Sequence, residues 1–242
     1  MAVSNYTEEI FLKLYELKVA EHWLTLYPCF LKIMGSLKGN KILDLGCGNG
    51  EFTDYLASHG AKVIGADKSQ KWIDYCKDRY KGNKNLKFIQ ADGVNLKSLK
   101  SGKFDSIIMN MVLLNVETES EIQKIFKECK RVLRPDGSLI FTDLNPIMVM
   151  TPKVAVREQK YSKNFSYFKN GSQFTAVLHL PGDKKIEFID KHWTLEFYTK
   201  CLEKAGLYLS LIVEPNYGKN APKRFKGYNI PEYIAFQCKK LN

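Results

Sequence analysis

Three aspartates and three glycines stand where a polypeptide can hold a small polar ligand. Lys41 to Gly50 reads KILDLGCGNG, with Asp44 ahead of Gly46, Gly48 and Gly50 at two-residue spacing. Ile42, Leu43 and Leu45 form the short apolar run of a strand buried on both faces of a parallel sheet, and Glu51 to Ala57 reads as a helix. Such a strand, glycine turn and helix make a corner where backbone approaches a ligand closely and a helix N-terminus favours polar or negative groups. A carboxylate inside the strand, at Asp44, suits a ligand carrying an ammonium better than one carrying a pyrophosphate. The next apolar run, Lys62 to Ala66, ends at Asp67. That is about 20 residues past the glycines, where a strand-end carboxylate can accept both hydroxyls of a ribose. A third run, Asn85 to Ala91, ends at Asp92. The dinucleotide fingerprint GxGxxG is absent because the third glycine falls one position early, which disfavours a nicotinamide dehydrogenase.

Acid–base candidates are few. His192 is the candidate catalytic residue, with His22 and Tyr167 beside it, since a histidine titrates near neutral pH. A lone histidine opening a helix also serves as a structural hydrogen-bond donor, and both readings stay open. The six cysteines form no CxxC pair and the four histidines no HExxH, so neither a metal site nor a disulfide framework is expected. No signal peptide and no transmembrane-length apolar run is visible, and the expected location is cytoplasmic, away from the membrane.

Charge is the unusual feature of the composition: 37 Lys+Arg against 26 Asp+Glu give a net charge of +11. The lysines are spread along the chain and concentrate only at Pro222 to Lys226 (PKRFK), which argues against nucleic acid as a partner. With 242 residues, the chain can form one domain or one domain with a lid, as a monomer or homodimer.

The elements that must position these residues follow in order. Thr7 to Leu37 reads as an aromatic-rich helical segment, either covering the sheet or capping the site, with Tyr6, Tyr15, His22 and Trp23 as its candidate lining residues. Pro28 is expected to kink or divide it. Ser69 caps the helix that contains Trp72. Phe104 to Asn110 is a fourth strand, Glu119 to Leu133 an amphipathic helix, and Arg134 to Gly137 a turn into a fifth strand, Ser138 to Leu144. Residues 146–191 break the alternation and read as a lid with two antiparallel runs, QFTAVLHL and KIEFID, joined around Pro181-Gly182-Asp183. His192 and Trp193 open the next helix, Thr194 to Ala205. Tyr208 to Val213 and Tyr233 to Lys239 are the last strands.

LDLGCGNG, Asp67, Asp92 and LRPDGSLIFTD together resemble the class I S-adenosylmethionine-dependent methyltransferases, small-molecule type, from Lys41 to about Leu144 and more loosely to the C-terminus. The resemblance implies an α/β fold: a three-layer, Rossmann-like, seven-stranded, mostly parallel sheet with the last strand antiparallel. An N-terminal helical cap (1–37), a core (38–145), a β-containing lid inserted after strand 5 (146–191) and the rest of the core (192–242) would make up the chain. The implied cofactor is S-adenosylmethionine, leaving as S-adenosylhomocysteine, held by Asp44, Gly46, Cys47, Gly48, Asp67, Lys68, Trp72, Asp92, Gly93 and Asn110. In that pattern Asp92 takes the adenine amino group, the Gly93 backbone lies near the ring and Asn110 offers its carbonyl to the ammonium. Trp72 either packs on the adenine or fills the core. Leu114 and Asn115 stand where many family members carry a histidine pair or an aspartate, so no base is available there. The implied reaction is in-line methyl transfer to oxygen or nitrogen of a small, aromatic or partly apolar acceptor, expected to be held by Tyr15, Trp23, Tyr167, Phe168 and His192. The rivals are an RNA or protein methyltransferase using the basic surface and a non-catalytic cofactor-binding regulator.

Overall fold

A computed structural model describes residues 22–154, 157–179, 185–217 and 230–241. Tyr6, Tyr15, the Pro181-Gly182-Asp183 turn and the PKRFK segment lie outside the described residues.

The apolar runs become strands because consecutive residues can be buried on opposite faces. β1 (Lys41–Leu45), β2 (Lys62–Asp67), β3 (Leu86–Gln90), β4 (Phe104–Asn110), β5 (Leu133–Leu144), β10 (Leu207–Val213) and β11 (Tyr233–Lys240) form one sheet in the order β10-β11-β5-β4-β1-β2-β3. β11 runs antiparallel to both neighbours, and the other pairings are parallel. Ile42, Ile108 and Ile140 face one helical layer, while Leu43, Ile107 and Leu139 face the other. The first layer holds α1 (Leu26–Met34) and α2 (Glu51–Ser58), with α3 (Gln70–Arg79) packed through Ile73 and Cys76 on Phe88. The second holds α4 (Glu119–Val132) and α6 (Leu195–Lys204).

Local sequence sets the helix ends. The chain turns at Thr25, and α1 restarts at Leu26, so Pro28 falls in a first turn where its missing N–H costs nothing. Tyr27 and Phe30 on α1 are buried against Ile42, Phe52 and Leu56. The described part of the N-terminal segment therefore covers a face of the sheet. Ser69 caps α3, a Thr118–Glu121 capping box opens α4, and Thr194 caps α6.

Two boundaries differ from the sequence reading. β5 begins at Leu133, and Arg134 to Gly137 form an irregularity within it: Phe104 pairs with Leu133, then Ser106 with Ser138. His192 ends a strand instead of opening a helix. After the short α5 (Pro146–Val149), the lid is a four-stranded antiparallel sheet, β6 (Lys153–Val154), β7 (Arg157–Tyr161), β8 (Ser172–His179) and β9 (Lys185–His192). Its apolar face, with Phe174, Ala176, Leu178, Ile186 and Phe188, packs on Leu26, Leu144, Val149 and Tyr233.

Candidate active site

β2 and β3 lie to one side of β1, and the chain then returns to place β4 on the other. Ligands of open α/β sheets bind at the carboxyl ends of the strands where the order reverses in this way. A cavity of about 760 Å³ opens there, in the upper range for small-molecule sites.

The glycine loop is pinned to the neighbouring strand. Gly46 and Cys47 both donate their N–H groups to the Ala66 carbonyl, at 2.7 and 3.1 Å. Gly46 has φ +78°, and a Cβ there would sit 2.5 Å from Cγ2 of Val112, so a side chain would both strain the backbone and close the approach. Asp67 is fixed by two backbone donors, Gly48 N–H to Oδ2 at 3.1 Å and Ser69 N–H to Oδ1 at 2.9 Å. Asp44 is buried and accepts the Thr53 hydroxyl at 2.6 Å. Burial pushes its carboxyl up to about 7, Thr53 opposing this and the nearby Asp67 adding to it. A buried carboxylate beside a cavity is a seat for a cation. Asp92 accepts the Val94 N–H at 3.1 Å.

The ten residues assigned by resemblance to the cofactor (Asp44, Gly46, Cys47, Gly48, Asp67, Lys68, Trp72, Asp92, Gly93 and Asn110) all line this cavity. The donor set fits S-adenosylmethionine: carboxylates for an ammonium and a diol, and a glycine cradle that a methyl group would fill.

Of the residues assigned to the acceptor, Tyr167, Phe168 and His192 lie together, with the Tyr167 and His192 rings 4.7 Å apart, but they do not line this cavity, and neither does Trp23. Trp23 is half-buried against the core, its Nε1–H donating to Glu51 at 2.9 Å and its ring against Tyr27, Phe52 and Tyr55. Tyr167 and Phe168 border a separate surface hollow with Glu119 and Lys200, and the Phe168 side chain is exposed. His192 is buried, and its Nε2–H donates to the Tyr167 carbonyl at 3.1 Å. Burial pushes its pKa down. It is not among the cavity's lining residues.

Other residues also line the cavity. The lid contributes Arg157, Gln173, Phe188, Ile189, Asp190 and Lys191, and the first layer contributes His22 and Tyr27. The Thr142 hydroxyl donates to Asn110 Oδ1 at 2.9 Å, and Asn110 Nδ2 lies 3.5 Å from His22 Nδ1. Met111, which follows, has φ +55°, an uncommon conformation for a side-chain-bearing residue and one that turns the chain away from β4 along the cavity. Among the described residues no cluster of His, Cys, Asp and Glu suits a metal ion, and no helix is long and apolar enough to cross a membrane.

Comparison with known proteins agrees with this geometry. Residues 43–141 match the family model described as a methyltransferase domain. The ubiquinone biosynthesis O-methyltransferase of Coxiella burnetii is 35% identical over 111 residues, 46% of either chain. The demethylmenaquinone methyltransferase of Lactococcus lactis is 30% identical over 166 residues, 66% of this chain and 61% of that one. The chain thus spans about half to three-fifths of the length of these relatives. Among solved structures, a putative S-adenosylmethionine-dependent methyltransferase from Listeria monocytogenes aligns over 94% of this chain and all of its own, with TM-score 0.67 and 21% identity. One from Mesorhizobium loti aligns over 88% and 96%, with TM-score 0.66 and the same identity. At that identity the likeness is one of fold. Residues 43–141, from β1 into β5, thus resemble a methyltransferase domain, and the chain shares the fold of the solved S-adenosylmethionine-dependent methyltransferases with which it aligns.

Proposed function

We propose that this protein is an enzyme that methylates a small molecule at the expense of S-adenosylmethionine, in the cytoplasm, as a monomer or homodimer. The observation that carries the reading is that one cavity is lined both by Asp44, Asp67 and Asp92 and by residues of the lid. Bound there, the cofactor supplies a methyl group on a sulfonium, already an excellent leaving group. The protein's work is then alignment. Asp44 takes the ammonium, Asp67 the ribose hydroxyls and Asp92 the adenine edge, with Trp72 beside the ring. His22 and the lid strands orient the acceptor and exclude water. A relative named for demethylmenaquinone supports an acceptor with a ring and apolar surface.

Calorimetric titration with S-adenosylhomocysteine tests this. One molecule per chain should bind with a dissociation constant on the order of micromolar. Absence of both binding heat and a thermal shift would remove the reading.

A further inference from the structure

The lid face that meets the core is apolar except for Arg157, Gln159 and Asp190. In register, Arg157, Gln159 and Tyr161 of β7 lie beside Leu178, Ala176 and Phe174 of β8, which lie beside Ile186, Phe188 and Asp190 of β9. Among these residues Arg157 is a guanidinium only 2% exposed. One arm is spent: Nη2 donates to Asp190 at 2.6 Å. The group also lies over the Phe188 ring, 5.4 Å from its centroid. Its Nε and Nη1 have no hydrogen-bond partner among the described residues; both atoms are closed to solvent at the edge of the cavity that Arg157 lines, so a ligand oxygen reaches them with a small shift of the side chain. Buried N–H groups of a cation are costly to leave unpaired, and arginine cannot shed its proton to escape the cost. The arrangement therefore awaits a partner.

We propose that Arg157 determines acceptor specificity by donating hydrogen bonds to a carbonyl or hydroxyl oxygen of a neutral, ring-bearing acceptor. This rests on the methyl-transfer reading above. The partner atom must be an acceptor, because guanidinium has donors only. It must belong to a neutral group, because Asp190 already balances the charge and Glu232 acts on Arg157 electrostatically, as Asp143 and Arg157 act on each other. A free carboxylate would meet those acids. A ring is favoured by Phe188, which shares the cavity wall.

Three fragments of similar size separate the possibilities: acetophenone (neutral oxygen), benzoate (anion) and ethylbenzene (no oxygen). Each is titrated by protein NMR into the chain saturated with S-adenosylhomocysteine. Acetophenone should bind about tenfold more tightly than ethylbenzene and more tightly than benzoate. In the double variant Arg157→Met/Asp190→Leu, which replaces the buried pair with apolar groups of similar volume, that preference should vanish with cofactor-product affinity unchanged. Arg157→Lys keeps the charge beside Asp190 but loses the planar fork, and should lose the preference too. The proposal is overturned if the wild-type chain shows no preference for oxygen, if benzoate binds best, or if a folded variant keeps the wild-type ranking. Failure of S-adenosylhomocysteine to bind would instead strike the functional reading, and the fragment ranking would then be read on the ligand-free chain.

Discussion

Gly48 donates its backbone N–H to the Asp67 carboxylate at 3.1 Å, joining the glycine loop to the end of the neighbouring strand across 19 residues. Ser69 holds the other oxygen at 2.9 Å. Each oxygen spends one lone pair on the backbone and keeps another to offer, so the carboxylate is oriented before any ligand arrives.

Asp67→Ala should weaken S-adenosylhomocysteine binding about 10- to 100-fold, since hydrogen bonds to a charged group contribute roughly 1.5–3 kcal/mol each. The loop also loses its anchor, which adds to the effect. Calorimetry on the folded variant decides it, and unchanged affinity would take Asp67 out of the ribose site.

The glycine-loop side of the cavity is legible in the sequence because parallel buried strands are written as continuous apolar runs, and the residues at or just past their carboxyl ends lie at the ligand-binding edge. Asp67 ends its strand, Asp44 stands one residue before the end of β1 and Asp92 two past the end of β3. The lid side of the cavity is not legible in this way. Tyr167, Phe168 and His192 are ring-bearing residues of the lid segment, and they do pack together, but outside this cavity. His192 ends β9 packed against the Tyr167 carbonyl, and Trp193 donates to the Leu113 carbonyl at 2.9 Å within the core. Arg157 and Asp190 carry no sequence signal at all. Each sits among other charges, in REQK and in DKH, and their inward position exists only once β7, β8 and β9 are in register.

Trp23 belongs to the scaffold, holding Glu51 at the first turn of α2 and filling an aromatic cluster. Trp23→Phe should cost about 1 kcal/mol through the lost hydrogen bond, and Trp23→Ala about 3 kcal/mol through the cavity left behind. Urea unfolding measures both. S-adenosylhomocysteine affinity of the folded variants should stay within about threefold of wild type; a selective loss of ligand binding at full stability would return Trp23 to the site.

For His192, the bond from Nε2–H to the Tyr167 carbonyl predicts a structural contribution. His192→Leu leaves a carbonyl short of its donor and should lower stability by roughly 1–3 kcal/mol. Its burial holds the ring neutral, with a pKa below the usual histidine value. The native state therefore gains stability from this group as pH rises through the ordinary histidine range and loses it below. The variant's thermal midpoint should thus fall less steeply than wild type on acidification from neutral pH. Parallel midpoint profiles would contradict this role.

Asp44 makes the sharpest pH prediction. Its carboxyl titrates at about 7 in the ligand-free protein, far above the ordinary carboxylate value, because burial disfavours the charge. The proton is held more tightly folded than unfolded. The group's contribution to stability is therefore complete below the ordinary carboxylate range and is lost as pH rises through about 7. A ligand ammonium reverses the preference, because it pairs with the carboxylate and not with the acid. Binding must then release a proton below pH 7, and affinity for S-adenosylhomocysteine should rise with pH, about tenfold per unit, before levelling above 7. Asp44→Asn removes the titration while keeping a group of the same size beside Thr53. Its binding profile should be flat, weaker than wild type at pH 8 and close to it at pH 5.5. Isothermal titration in two buffers of different ionisation enthalpy reads the released proton directly. A wild-type profile as flat as that of the Asn variant, with no proton released, would mean that the ammonium is seated elsewhere in the cavity.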